Sequence, residues 1–295
     1  MKAFKTATGK PLKSALGKPF IQIPPIPDVT SINTYSCASA GVHCFDNLDL
    51  DPCGISLTNS GSKLFLSFTN GTLREYDIPT SWEIRTHTLV NTTTISGSTY
   101  GLKFGAGGMK LYGANGQNLR EYTMTSPYDI MSLSLTNSEN AYTLSGFSYP
   151  SGTTTLYGMD ISPDGTNVIC GLYNYYQTQK VLVFSLGTPW DLSTLSYRGY
   201  VDVDALAVIP TPRFSADGKA IYVFGVSGND GNSLHQCNTS IPYDALTMNT
   251  VPDATKALCW WNKDMHIDAD KVHLASCGEG GQTANRAYTF EFIYP

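Results

Sequence analysis

The feature that most constrains the fold is a short pattern that occurs five times along the chain. Each copy has an apolar stretch, a turn containing Gly or Asp, and a second apolar stretch, which is the pattern of a β-hairpin. The first apolar residue after the turn recurs about every 50 residues, at Leu64, Leu111, Val168, Ile221 and Val272. Such a period indicates a repeat architecture.

Each hairpin is followed by further strand-like sequence. "LREYDI" from Leu73 and "LREYTM" from Leu119 are third strands, and Thr- and Ser-rich stretches such as "LSYRGYVDVD" are fourth strands. Four antiparallel strands per unit, repeated around a ring, describe a β-propeller blade. The chain is therefore predicted to be all-β, a five-bladed β-propeller of four-stranded antiparallel blades, with six blades as the main alternative.

A second repeated segment, which we call the joint, lies between the third and fourth strands. Its fullest copy is "TPWDLST", with related copies "TSPYDIMS", "SIPYDALT" and "PTSWEIRT". Proline presets φ for a turn, and an acid such as Asp191 can cap it. The aromatic residues are expected to act as apolar wedges against the neighbouring blade; they are Trp82, Tyr128, Trp190 and Tyr243. We interpret the joint as structural.

The fifth hairpin has no joint after it. "IPDVTSINTYS", from Ile26, aligns with the joint and outer strand of the other units. Residues near 26–40 are therefore expected to supply the outer strand of the last blade, which closes the ring without an open edge. The predicted domains are an arm at 1–25 and a propeller at 26–295.

"ISPDGTNV", "FSADGKAIYVFG" and "TPWDLST" together resemble a β-propeller repeat found in bacterial and tailed-phage virion proteins. The resemblance covers roughly residues 26–295. It departs at "TSWEIRT", where Ser81 replaces the proline, and in the fifth hairpin, where Asp270 occupies the usual glycine region. The resemblance implies a propeller and, by association alone, a virion, since one fold hosts many functions.

The N-terminal arm, residues 1–25, does not fit the repeat. It contains "GKPL" and "GKPF" and carries four prolines, which forbid a continuous helix. One interpretation is a disordered terminus; the other is an extended arm that orders on a partner. In the second interpretation, cationic and apolar side chains make the contacts: Lys2, Lys5, Lys10, Lys13, Lys18, Phe20 and Ile21.

Composition excludes several classes of function. A net charge of −5 gives no electrostatic footprint for nucleic acid, and no apolar run reaches the roughly 20 residues of a membrane span. No secretory signal peptide is recognisable. Seven cysteines without a CxxC pair favour buried free thiols, although a Cys37–Cys44 bridge stays open.

The sequence shows no catalytic constellation. A glycoside hydrolase needs two carboxylates that converge on a substrate, and the candidates are Asp160, Asp164, Asp204, Asp217 and Asp268. Asp164 and Asp217 have turn positions, whereas Asp160 and Asp268 could face the central channel. The five histidines form no ligand spacing. No catalytic residue, metal or cofactor is predicted.

One cluster, "CWWNKDMH", has no role in the repeat. Trp260 and Trp261 could stack on a sugar ring, or one of them fills a blade contact. The favoured function is a non-enzymatic structural or attachment component of a virus particle, assembled in the host cytoplasm in many copies. The arm would dock on other virion proteins, and exposed loops would contact a host receptor or glycan. The alternatives are a carbohydrate-binding or glycoside-hydrolysing propeller and a cellular protein-interaction scaffold.

Overall fold

The computed structural model describes residues 43–48, 50–147, 154–174, 179–204, 206, 209–227, 231–258, 261–267, 271–277 and 285–291. Within these ranges the regular structure consists of β-strands and three-residue 3₁₀ helices. The strands form four-stranded antiparallel sheets, and five such sheets are described. The prediction of an all-β propeller with four-stranded antiparallel blades is confirmed. No sixth sheet occurs in the described part of the chain.

We number the sheets as blades in chain order. Strands are numbered in chain order, and blade 1 consists of β2 Pro52–Leu57, β3 Lys63–Phe68, β4 Thr72–Asp77 and β5 Thr88–Thr94. Blade 2 consists of β6 Tyr100–Gly105, β7 Lys110–Asn115, β8 Asn118–Thr123 and β9 Ser134–Asn140. Blade 3 consists of β10 Thr154–Ile161, β11 Asn167–Asn174, β12 Lys180–Leu186 and β13 Leu195–Asp202.

Blade 4 consists of β14 Thr211–Phe214, β15 Ala220–Ser227, β16 Gly231–Asn238 and β17 Ala254–Leu258. Blade 5 consists of β18 Trp261–Ile267, β19 Lys271–Cys277, β20 Asn285–Glu291 and β1 His43–Leu48. The first strands of successive blades contact one another in the order β2, β6, β10, β14 and β18, and β18 contacts β2. These contacts close a ring around an axis lined by the first strands.

An N-terminal strand closes blade 5. β1 pairs antiparallel with β20, with His43 opposite Thr289 and Leu48 opposite Asn285. The expectation that residues near 26–40 supply this strand is wrong, because His43–Leu48 occupies the position. The physical reason is that the strand that closes the ring lies immediately before blade 1 in the chain. β2 begins at Pro52, so only a short link separates it from Leu48, the last residue of β1. Residues 1–42 lie outside the described residues.

The apolar core lies between adjacent blades. Tyr112 and Leu119 of blade 2 pack in one buried cluster with Leu156 and Phe184 of blade 3. Corresponding clusters join blade 1 to blade 2 and blade 3 to blade 4. Because removing apolar surface from water is favourable, each of these interfaces stabilises the closed ring.

The first strands approach one another very closely near the axis. A Cβ added to Gly101 would lie 2.1 Å from the backbone nitrogen of Met159, and one added to Gly158 would lie 2.5 Å from Cγ2 of Thr211. Both glycines also have positive φ, at 70° and 57°. A side chain at either position would therefore push neighbouring blades apart.

The joints are β-turns with an aromatic residue in the left-handed region. In the fullest copy the Asp191 N–H donates to the Thr188 carbonyl at 3.1 Å, and Trp190 has φ 63° at the third turn position. That position normally takes glycine. Trp82, Tyr128 and Tyr243 share this conformation, with φ of 67°, 62° and 60°.

The joint aromatic is held between two blades. The backbone N–H of Trp190 donates to the Gly165 carbonyl at 2.9 Å. The Trp190 ring covers Gly165 so closely that a Cβ added to Gly165 would lie 2.5 Å from ring atoms. Tyr112 of blade 2 donates from its hydroxyl to the Trp190 carbonyl at 2.6 Å. Trp190 thus contacts the hairpin turn of its own blade and packs on the preceding blade. These contacts offset the free-energy cost of its left-handed backbone conformation, which is about 1–2 kcal/mol.

The acid of the joint caps the 3₁₀ helix that follows. Asp191 Oδ1 accepts from the Ser193 N–H at 3.0 Å, and Asp129 and Asp244 make the equivalent bonds. Glu83 makes no side-chain cap of its helix, because its carboxylate extends one methylene further from the backbone. The joints and the hairpin turns lie at one end of the ring, which we call the joint face.

Candidate functional site

A buried carboxylate lies at the centre of the ring. Asp264 of β18 is fully buried, and its Oδ2 accepts from the Ile55 N–H of blade 1 at 2.8 Å and from the Leu102 N–H of blade 2 at 3.2 Å. Its Oδ1 pairs with Arg213 of blade 4. Burial raises the pKa of Asp264 to about 6, against the opposing effect of the guanidinium.

Arg213 completes the connections across the axis. Its Nε donates to the Met265 carbonyl of blade 5 at 2.6 Å, and its Nη1 donates to the Met159 carbonyl of blade 3. The guanidinium is itself buried. The Arg213–Asp264 pair, which we call the axial pair, therefore bonds to all five blades. A buried pair of this kind is stable only when its remaining donors and acceptors are satisfied, and here the backbone satisfies them.

A layer of side chains that includes Arg213 lies near the end of each first strand, at the position opposite the third residue of the next strand. The register of the hairpins places five residues at this equivalent position: Ser56, Lys103, Asp160, Arg213 and His266. Asp160 pairs with Lys103 at 2.8 Å, and its Oδ2 accepts from the Phe214 N–H of blade 4 at 2.9 Å. Asp160 is therefore tied to both neighbouring blades.

His266 lies in the same layer, between blades 5 and 1. Its Nδ1 accepts from the Leu57 N–H at 3.5 Å, and its ring stacks with Trp82, with 6.4 Å between centroids. Burial, together with the cations Lys103 and Arg213, lowers the pKa of His266 to about 3. A neutral imidazole is also what an acceptor role at Nδ1 requires.

The candidate carboxylates do not form a catalytic pair. Asp164 Oδ1 accepts from the Thr166 N–H at 3.1 Å, and Asp217 Oδ1 accepts from the Lys219 N–H at 3.0 Å, as turn residues do. Asp160 faces the axis, but the contacts above already use both of its oxygens. Asp204 accepts from the backbone N–H of Gln179. Asp268 lies outside the described residues.

Two sets of predicted site residues fall largely outside the described part of the chain. The arm residues Lys2, Lys5, Lys10, Lys13, Lys18, Phe20 and Ile21 lie outside the described residues, as does Trp260. The backbone of Trp261 begins β18. The sugar-stacking hypothesis for the two tryptophans stays a prediction.

The described residues offer little for metal chemistry. Within them, no group of three or more His, Cys, Asp and Glu side chains could hold a metal ion. The side chains of Cys53, Cys170 and Cys237 are buried, and burial raises the pKa of the Cys170 thiol. None of the helices in the described ranges has the length and apolar character that a membrane crossing needs.

The residues of the axial pair were not among the predicted site residues. The signal that could identify Arg213 is its equivalent position in each hairpin: aligning the hairpins on the residue opposite the third residue of the second strand places Lys103, Asp160 and Arg213 in one layer. Asp264 is harder to find, because a register shift between Asn262 and Asp264 interrupts its strand. Its partners lie in other blades, 209 residues away in the case of Ile55.

Comparisons with known proteins give structural similarity alone. No family model matches the chain. No curated protein matches it. A Bacteroides uniformis protein provisionally assigned as a 6-phosphogluconolactonase is 12% identical with a TM-score of 0.48; the match covers 77% of this chain and 63% of that one.

Two further structures show the same kind of similarity. The WD40 domain of Toxoplasma gondii coronin is 14% identical with a TM-score of 0.43, over 83% of this chain and 56% of that one. Hydrazine synthase of Kuenenia stuttgartiensis is 13% identical with a TM-score of 0.44, over 82% and 59%. The chain thus spans less than two thirds of the length of each of these three proteins.

Proposed function

We propose that this chain is a non-enzymatic structural component of a multi-copy particle, a tailed-phage virion, in which a five-bladed propeller serves as a rigid module and the N-terminal arm as its anchor. The observation that carries the proposal is the axial pair. A propeller that acts on a substrate at its axis needs polar side chains there that are available to the substrate. In this chain the polar side chains of the axial pair bond the blades to one another instead.

The chemistry of the axis supports a non-enzymatic role. A glycosidase needs one carboxyl group as a general acid and a second one as a nucleophile or base. Asp264 is fully buried against Arg213 and two backbone N–H groups, and Asp160 is buried against Lys103. Neither carboxylate has an oxygen free to meet a sugar. The hydrolase alternative therefore has no support from the described carboxylates.

The arm supports the anchoring role. Residues 1–25 contain five lysines and no acid, whereas the whole chain has a net charge of −5. A cationic segment with interspersed Phe, Leu and Ile can combine charge pairing with apolar contacts on an acidic partner surface. The virion assignment itself rests on the resemblance of the repeat, and exposed loops would be the host-contacting parts.

Crosslinking mass spectrometry on natively assembled material tests the proposal. We expect amine-reactive links from Lys2, Lys5, Lys10, Lys13 or Lys18 to an abundant shell or tail protein. Lys219, whose side chain is 66% exposed on the propeller, is the matched control for non-specific contact. Arm lysines that link to other particle proteins no more often than Lys219 does would contradict the anchoring role. Isolation of the protein with a host partner from uninfected cells would contradict the virion role.

A further inference from the structure

The outer strand of blade 1, β5 Thr88–Thr94, forms an edge of its sheet. The strands of this blade follow the order β2, β3, β4 and β5, so β5 lies farthest from the axis, and among the described strands it pairs with β4 alone. Five of its seven residues are exposed, including Leu89 at 50% and Val90 at 45%, and the other two are half-buried. Such an edge presents backbone N–H and C=O groups to a further strand.

Charge distinguishes β5 from the outer strands of the other four blades. β9, β13, β17 and β1 each contain at least one Asp, Glu, Lys or Arg, whereas β5 contains none. Charged side chains protect a sheet edge, because pairing with another chain would remove them from water. The sequence of β5, "TLVNTTT", is rich in β-branched residues that favour strands and contains no proline. β5 is therefore the outer strand that is least protected against pairing.

The second half of β5 has the regular backbone that a partner strand needs. The register of β4 and β5 shifts between Glu75 and Tyr76, and beyond this bulge residues 91–94 pair without interruption with residues 72–75 of β4. Asn91 is held within the blade, because its Nδ2 donates to Glu75 Oε2 at 2.8 Å. The other three residues of this stretch are threonines, whose hydroxyl groups can hydrogen-bond across strands.

Symmetry limits how β5 can pair with the β5 strand of a second copy. Residues opposite one another in an antiparallel pair lie on the same face of the sheet. A two-fold antiparallel pair of identical strands is therefore centred on a residue that lies opposite its own copy. Centring the pair on Thr92 uses the regular stretch, because Thr92 then meets Thr92 of the second copy and Asn91 meets its Thr93. Neither β5 strand brings a charged residue into the contact, and a two-fold contact closes at two copies.

We propose that β5 pairs antiparallel with β5 of a second copy of this chain, about a two-fold axis at Thr92, so that two four-stranded blades join into one continuous sheet. The inference goes beyond the proposed function, because it concerns the propeller alone and depends neither on the N-terminal arm nor on a virion.

Charge complementation on the purified full chain, measured by sedimentation velocity, tests the pairing. The wild type should form a dimer in a concentration-dependent manner. Thr92→Lys and Thr92→Glu, each alone, should weaken dimerisation about tenfold, because each places like charges directly opposite one another. An equimolar mixture of the two variants should restore the dimer, because the mixed pair brings Lys opposite Glu. Since Thr92 is exposed, either substitution should leave the blade folded.

Ser138→Lys is the matched control. Ser138 is exposed on β9 of blade 2 and lies opposite Arg120, as Thr92 lies opposite Arg74. The control adds the same charge at the same place in another blade, and dimerisation should remain. Amide hydrogen exchange in residues 91–94 should be slower in the wild-type dimer than in Thr92→Lys. A wild type that stays monomeric across the concentration range, an open-ended series of larger species, equal loss of dimer in Ser138→Lys, or a mixture that does not recover would each overturn the inference.

Discussion

Replacing Asp264 by Asn tests whether the axial pair holds the ring together. The substitution leaves Arg213 buried without its counterion, and the new amide can no longer accept with two charged oxygens. Removing one partner of a buried ion pair costs about 3–5 kcal/mol. Because the Asn oxygen can still accept from the Ile55 or the Leu102 N–H, we expect the lower end, about 3 kcal/mol. That is a large part of a typical stability of about 5–15 kcal/mol.

Urea unfolding followed by tryptophan fluorescence measures the effect. With a slope m of about 3 kcal/mol/M, the midpoint should fall by about 1 M. Asp77→Asn is the control, since Asp77 pairs with Lys63 at 3.0 Å but its side chain is 53% exposed; such surface pairs contribute about 0–1 kcal/mol. Hydrogen exchange at the Ile55 and Leu102 amides should accelerate only in Asp264→Asn. Equal midpoint shifts in the two variants would refute the reasoning.

Three further predictions concern a joint, the axial histidine and a buried thiol. Gly165→Ala should destabilise the protein by more than the roughly 1 kcal/mol that an alanine costs in the left-handed region, because the added Cβ would lie 2.5 Å from atoms of the Trp190 ring. Gly107 also has positive φ but has open space around it, so Gly107→Ala should show the backbone strain alone. Equal urea midpoints for the two variants would contradict this prediction. Since the pKa of His266 is lowered to about 3 and its unfolded value is near 6.5, its contribution to stability is lost as pH falls from about 6.5 towards 3. His266→Asn should therefore flatten the fall in urea midpoint between pH 7 and 4.5, and parallel curves for variant and wild type would count against it. The Cys170 thiol, whose pKa burial raises, should react with a thiol reagent only as fast as the protein opens, a rate that denaturant should increase; immediate labelling of the native protein would be the contrary result.

The repeat made the blades predictable because local chemistry determines each of them. The hairpin turns, the apolar strands after Leu64 or Val168, and the joint around Trp190 all lie within one unit, so a local pattern is sufficient to find them. The blade architecture follows from that pattern. The joint's glycine contact was not predictable, because Trp190 and Gly165 are brought together only by the turn geometry.

Interactions between blades were much less predictable. Asp264 and Arg213 look like ordinary strand residues in the sequence, and only the closed ring brings them together at the axis. The outer strand of blade 5 illustrates a second difficulty. "IPDVTS" resembles a joint, yet the position of β1 depends on the length of the connection to Pro52, which the local pattern does not encode.

The pairing of β1 with β20 also affects how the protein is made. β1 is synthesised before any complete blade, and its partner strand leaves the ribosome only after β18 and β19 have followed blades 1 to 4. Until then β1 has no sheet to join, and Ile55 and Leu102 lack the Asp264 carboxylate. A stalled or truncated product would therefore be an open arc with unpaired strand edges, which are prone to aggregate. Such a chain gains most from chaperone protection late in translation, when the missing blade is the one that closes the ring.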